Sequence, residues 1–155
     1  MITTIKFFKL LNDNEKKNSI PINNKYTYHV NGMFCQTEQE LYDHFIKELK
    51  FPYFGRNWDA LIDSLSDFCW ILTNKVTIYL SNIEYLLLEE SEKKNIFYEI
   101  LFIDIVNRYK ETIFEDLDEY VTLNLVFITN SENEKLIDSL FKEYNVIQSE
   151  IDELL

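Results

Sequence analysis

Apolar positions along the chain repeat with two periods, and the switches between them divide it into elements. From Tyr26 to Val30, aromatic and β-branched residues alternate with Thr27 and His29. This period of two predicts a strand, closed by the turn signal Asn31-Gly32. Leu41, Tyr42, Phe45, Ile46 and Leu49 then recur at the 3,4 spacing of an amphipathic helix. Thr37 and Glu40 form its capping box, and Pro52 stops it, because proline biases Phe51 away from the α region. A second helix is predicted to begin at Trp58 behind Asn57 as N-cap, with Trp58, Leu61, Ile62, Leu65, Phe68 and Cys69 as its buried stripe. Val76 to Leu80 reads as a buried strand, and Asn82 as the cap of a short helix over Ile83 to Leu88. A long helix from about Asn95 to Lys110 is apolar nearly all round, so it should pack on more than one side. Val121 to Thr129 is the clearest strand. Ser131 and Glu134 form a capping box for a last helix carrying Leu136, Ile137, Leu140 and Phe141.

Strands alternating with helices imply parallel pairing, because parallel neighbours need long crossovers. The expectation is an α/β domain with core strands at about 26–30, 76–80 and 121–129. Residues 2–11 suit a further strand, but the polar segment Asn12 to Ser19 and the linker-like Ile20-Pro21 follow. The chain therefore divides into an N-terminal extension (1–24), a domain (25–130) and a C-terminal helical extension packed on it (131–155).

Charge then narrows the function. Among 155 residues, 27 are acidic and 15 basic, a formal net charge of -12. That balance opposes nucleic-acid binding, which needs a basic footprint, and favours fast steered association with a basic partner. A hydrophobic fraction of 46% argues against disorder. Cys35 and Cys69 sit in apolar surroundings and read as free buried thiols of a reducing compartment. No apolar run approaches the roughly 18 residues of a membrane span, and Met1 to Leu11 lacks a cleavage site. A cytoplasmic protein is expected. His29 and His44 are lone residues without ligand spacing, and neither cysteine has a CxxC partner. No metal, no cofactor and no catalytic residue is expected.

The stretch from Phe51 to Asp67 carries the candidate chemistry. Gly55 is expected to take a positive φ and let the chain turn sharply. Beyond it, Asp59, Asp63 and Asp67 fall at i, i+4 and i+8, in a row beside the apolar stripe. No Lys or Arg lies between Asn57 and Cys69. Like charges so spaced oppose a helix by roughly 0.2–0.5 kcal/mol per pair. Asp59 recovers a similar amount from the helix dipole, and the other two do not. A solvated face is the bland account of this row; a surface shaped for a cationic partner is the sharper one. Tyr26, Tyr28, Tyr53 and Phe54 lack basic neighbours and read as core aromatics, not base-stacking platforms.

Strand, Val30-Asn31-Gly32 turn, helix ending Glu48-Leu49, Pro52-Tyr53-Phe54-Gly55 loop and a helix with Asn57, Asp59, Ala60, Leu61, Asp63 and Leu65 follow in an order that resembles the barstar family of intracellular ribonuclease inhibitors. The likeness is specific between about residues 26 and 68 and rests on element order as far as about 130. It implies a three-stranded parallel sheet packed against helices, and an immunity protein, not an enzyme. Such a protein plugs the basic active site of a cognate secreted ribonuclease toxin, one-to-one and as a monomer when free. The implied partner-binding set is Tyr53, Phe54, Gly55, Asn57, Asp59, Ile62, Asp63 and Asp67. Asp63 would take the place of a substrate phosphate, Asp59 would meet another cation, and Tyr53 would pack on the toxin's catalytic region. A third-helix carboxylate, Glu111 or Glu115, would add to it. An RNA-cleaving site must hold cations to stabilise phosphate charge, and fixed carboxylates can occupy those cations without being cleaved. The chain departs from the family at Ile62 (an aromatic there), Arg56 (an acid) and Trp58 (an aliphatic residue). Alternatives are another basic toxin, such as a deoxyribonuclease, and an enzyme using Asp59 and Asp63.

Overall fold

The computed structural model of the chain describes residues 2–12, 26–67, 73–112 and 121–154. The predicted linker at Ile20-Pro21, the positions Phe68 and Cys69, and the acidic run 115–119 lie outside the described residues. Strands β1 (Ile2–Leu11), β2 (Thr27–Asn31), β3 (Lys75–Ser81) and β4 (Val121–Thr129) form one all-parallel sheet of order β1-β4-β3-β2. The sheet thus has four strands where three were expected. β1 runs beside β4 from Ile2 opposite Val121 to Leu11 opposite Thr129. Its adjacent Phe7 and Phe8 are both buried, in separate clusters, as suits a strand covered on both faces, whereas Leu11 at its end is 45% exposed. Phe7 stacks on Phe102 in the larger core, with ring centroids 5.3 Å apart. Phe8 joins Tyr79, Val126 and Ile128 on the opposite face. The lysines flanking these phenylalanines find carboxylates: Lys6 pairs with Glu153 at 2.9 Å, and Lys9 with Glu134 and Asp138, both at 2.7 Å. The outer edge of β1 is met at Phe7, where Gln148 bridges to it and the Ser149 amide donates to its carbonyl.

The helices are α1 (Glu38–Leu49), α2 (Trp58–Ser66), α3 (Lys94–Glu99), α4 (Ile105–Thr112) and α5 (Glu134–Glu143). A π-helical turn, Ile100–Asp104, joins α3 to α4, so the long predicted helix is present as one continuous rod. Val30, Ile78, Leu80, Leu123, Leu125 and Phe127 supply the sheet side of the larger core, and side chains of all five helices pack into it. The second face meets Ile151 and Leu154 of the last helical turn, Ile151–Leu154.

Local signals resolved differently in three places. The Thr37 hydroxyl accepts from the Glu40 amide at 3.2 Å as a capping box requires, but the Glu40 carboxylate takes the Gln36 amide. Asn82 does not cap the short helix after it; its side chain donates instead to Asn31 Oδ1 at 2.9 Å. α5 starts at Glu134 behind Asn133, two residues later than a cap at Ser131 would place it.

Gly32 is required by close approach and not by its own φ. A Cβ there would stand 2.2 Å from the backbone oxygen of Asn82, which has a left-handed conformation at the end of β3. Gly32→Ala is expected to destabilise the fold by about 1–3 kcal/mol, the cost of overpacking, measured by urea unfolding. Beside it, the Asn31 amide donates to His44 Nε2 at 2.9 Å, which fixes the imidazole neutral with its proton on Nδ1. Burial pushes the pKa of His44 below the ordinary 6.5, and does the same to His29. A depressed histidine pKa means that the unfolded chain binds more protons in that window, so stability rises with pH there. Unfolding free energy is therefore expected to hold above about pH 6.5. It should decline as pH falls from there through the lowered folded-state pKa, and less steeply in His44→Gln.

Candidate functional site

The crossover between β2 and β3 contains α1, the loop 51–57 and α2, and an aromatic cluster fixes the loop between the helices. Lys50 takes a left-handed conformation (φ 54°) that ends α1, its amide still bonded to the Ile46 carbonyl at 2.9 Å. Phe51 and Phe54 then stack, with centroids 5.6 Å apart and planes 17° apart. Phe54 also leans on Tyr42 at 5.5 Å, and Trp58 meets Tyr42 edge-on at 5.4 Å. Tyr42 is fully buried, and its hydroxyl donates to Glu38 Oε1 at 2.7 Å. Lys93 Nζ donates to the other Glu38 oxygen at 2.7 Å and also pairs with Glu90. The Lys93 ammonium and the Tyr42 hydroxyl hold the Glu38 carboxyl below its ordinary pKa. Burial, with the Glu38 carboxylate beside it, pushes the Tyr42 phenol well above its own.

With its neighbours anchored, Tyr53 is left outside, 83% exposed. This corrects its reading as a core aromatic; Tyr28 and Phe54 do pack against the core, while Tyr26 is half-buried. The turn also differs from expectation. No described glycine has a positive φ, and the left-handed residue is Arg56 (φ 54°). Arg56 Nη1 pairs with Asp43 at 2.8 Å and its Nη2 donates to Gln39 at 2.9 Å, both on α1. Those two bonds favour the conformation that a glycine would adopt freely. They also draw the Arg56 charge onto α1. At Gly55 an added Cβ would make ordinary contact, 3.4 Å from Ala60 Cβ.

Asn57 caps α2 as its type predicts: extended, with its side chain accepting from the Ala60 amide at 2.7 Å. Leu61 and Leu65 are buried, and Trp58 and Ile62 half-buried. Asp59 and Asp63 point the other way and are exposed. The helix ends at Ser66, one turn short of the predicted stripe. Asp67 is its extended C-cap (φ −142°), so the acidic row shrinks to two residues on one face. Nor is that face uncompensated. Arg108 of α4 pairs through Nη1 with Asp63 Oδ1, joining side chains 47% and 65% exposed. α4 lies against α2, and what it brings to Asp63 is a cation, not a carboxylate. Glu111 is exposed on α4, while Glu115 lies outside the described residues. Among the described residues no ion pair engages Asp59. Arg108 was missed because a contact spanning 45 positions has no local spacing to betray it.

Elsewhere, a hollow of about 260 Å³ lies at the C-terminal ends of the strands, lined by His29, Ser81, Asn82, Glu84 and Asn130 among others. Ligands of parallel sheets favour that edge. His29 Nε2 lies 2.7 Å from Ser81 Oγ there, a juxtaposition that sequence spacing concealed. No described carboxylate is hydrogen-bonded to the other ring nitrogen, and burial holds the imidazole neutral, so the pair lacks the orienting group of a nucleophilic triad. Cys35 is a free thiol, fully buried and pushed up to about 12, which makes it inert. The described residues hold no group of three or more His, Cys, Asp or Glu able to grip a metal ion. None of their helices is long and apolar enough to cross a membrane.

In a comparison with protein families, the family model described as Barstar (barnase inhibitor) matches residues 26–121, more than half of the chain. No curated protein matches it. The matched span contains β2, α1, the aromatic loop, α2, β3, α3 and α4.

Because the cap, not salt bridges along α2, fixes where the helix starts, Asn57→Ala is expected to cost about 0.5–2 kcal/mol. Hydrogen exchange should quicken at Ala60 and its neighbours while the sheet amides stay protected; unchanged exchange there would contradict the cap's role.

Proposed function

The chain belongs to the barstar family, whose members are non-enzymatic inhibitors, and on that premise we propose that it blocks the basic active-site cleft of a barnase-type ribonuclease. Binding is one-to-one, through the surface from Tyr53 to Asp63. One observation carries this reading: an outward tyrosine, 83% exposed, stands on a braced loop directly before a capped helix with two outward carboxylates. Tyr53 offers rigid apolar area for the mouth of the cleft, at the ordering cost of only two rotatable bonds. Asp63 takes the central cationic group in place of a phosphate, and Asp59 a neighbouring one. Gly55 and Asn57 keep the loop low beside them, and Ile62 and Phe54 supply apolar flank. Asp67, outside the helical row, lies at the rim.

A net charge of -12 draws a basic enzyme from a distance, and the local carboxylates then set register. Inhibition follows without chemistry, because the cations that would stabilise phosphate charge are occupied by groups with no scissile bond. The protein acts where the toxin is made, before its export.

In a titration against barnase, RNA cleavage should fall as the protein is added. Asp63→Ala should weaken binding by on the order of 2–5 kcal/mol, the usual cost of removing one partner of a desolvated charge pair. Its thermal unfolding should stay near that of the wild type. The association rate should drop steeply as salt shortens the screening length to about 8–10 Å. Binding that survives Asp59→Ala and Asp63→Ala together would overturn the assignment of this surface. Inhibition of a deoxyribonuclease but of no ribonuclease would overturn the target class.

A further inference from the structure

We propose that Arg108 is a specificity-determining residue: it occupies Asp63 in the free protein and reserves that carboxylate for a partner cleft that carries a carboxylate beside its cations. This rests on the reading of Tyr53 to Asp63 as the inhibitory surface.

The observation is the ion pair itself. The most central acid of the surface already has a partner, supplied by a helix packed against its own. Both side chains remain about half exposed, 47% for Arg108 and 65% for Asp63, so the pair can open without unfolding anything. Arg108 stands on the turn of α4 just after Ile105, which is buried, and Val106, which packs against the core. The base of the side chain is therefore fixed while its guanidinium can swing. Arg56, the other arginine near the loop, is bound to Asp43 and Gln39 on α1. Arg108 is thus the cation that a ligand taking Asp63 through Oδ1 must displace.

Displacement has a consequence for the partner. A surface of cations alone gains Asp63 but gains Arg108 as a neighbour of like sign. A cleft with a carboxylate next to its cations receives both: its cation takes Asp63, and its carboxylate takes the freed guanidinium. General-base catalysis calls for such a group, and a carboxylate serves as one. A phosphodiester-cleaving site built that way fits the Asp63–Arg108 doublet, whereas a merely basic surface does not. Specificity here is a difference of affinities, obtained by penalising the wrong partner.

The test compares two probes, barnase and a hexa-arginine peptide that carries no side-chain carboxylate, by calorimetry at low salt. Arg108→Gln keeps a polar side chain and removes the charge; Lys110→Gln removes one charge from the same helix, away from the pair. Arg108→Gln should bind hexa-arginine about two- to fivefold tighter, the size of an exposed ion pair, and barnase no tighter than the wild type does. Lys110→Gln should change little. An equal gain for both probes, or an equal gain from Lys110→Gln, would reduce Arg108 to a general charge effect and overturn the proposal. If the wild type does not bind barnase, barnase fails as the partner, and the preference of Arg108 for a mixed-charge cleft fails with it. The hexa-arginine gain would then still report whether Arg108 occupies Asp63. Thermal unfolding of each variant confirms that the fold is shared.

Discussion

Four parallel strands cannot be joined by tight turns, and this constraint places the surface. To pass from the end of β2 to the start of its neighbour β3, the chain must travel back along the whole sheet. α1 makes that journey from Glu38 to its end at Lys50, after Gly32 has let the backbone pass against Asn82. α2 is then a second helix within the same crossover, and the bend between the two has to leave the sheet. The segment from Pro52 to Asn57 is that bend. Its backbone is exposed because of topology, and the loop is free to carry recognition chemistry while the sheet carries stability.

Exposure alone would give a mobile loop, which loses binding free energy to ordering. Tyr42 prevents this. It is buried on α1, with Phe54 and Trp58 against its ring, and its hydroxyl reaches Glu38, which Lys93 holds in turn. A hydrogen-bonded phenol under two aromatic neighbours is both oily and fixed in orientation. The loop is thus seated by Phe51, Phe54 and Trp58, and Tyr53, between the stacked Phe51 and Phe54, is left outside. The Asn57 cap next to this seat sets where α2 begins, and Asp59 and Asp63 on that helix are exposed. Electrostatics in the network acts at the far end, in the Glu38–Lys93 contact, where it fixes the start of α1 to the segment Leu88–Lys93.

Elements whose pattern is local were legible in the sequence. β2, β3, β4 and α1 lie within a residue or two of the positions their periodicity predicted, and the long apolar helix is continuous, although a π-helical turn divides it. The loop and its cap were readable for the same reason: proline, glycine and asparagine act on their own neighbours. What failed depends on distant residues. The polar segment after residues 2–11 argues locally for an extension, yet the pairing of β1 is decided by β4, more than a hundred positions later. Gly55 looked like the left-handed residue, but the partners that favour Arg56 there sit on α1. The stripe through Phe68 and Cys69 suggested a longer α2 than the one that ends at Ser66, with Asp67 already extended. The absence of Lys and Arg from residues 57–69 suggests an uncompensated face, because nothing local announces Arg108.

That last difference changes what kind of surface this is. A patch of bare carboxylates attracts every basic molecule, and its selectivity would have to come from shape alone. Here net charge and local charge have separate tasks. The acidic excess is spread over the whole molecule and sets a field that falls off over a screening length, so it governs encounter more than fit. At contact distance the pattern is mixed: Asp59 stands without a described cation, Asp63 is shared with Arg108, and Arg56 is drawn back onto α1. An exposed pair such as Asp63–Arg108 adds only about 0–1 kcal/mol to folding. That weakness is what the proposed inhibitory surface would need, because a stronger internal bridge would compete with any ligand. Arg108 is therefore better explained by what it does to Asp63 than by what it contributes to the stability of α4.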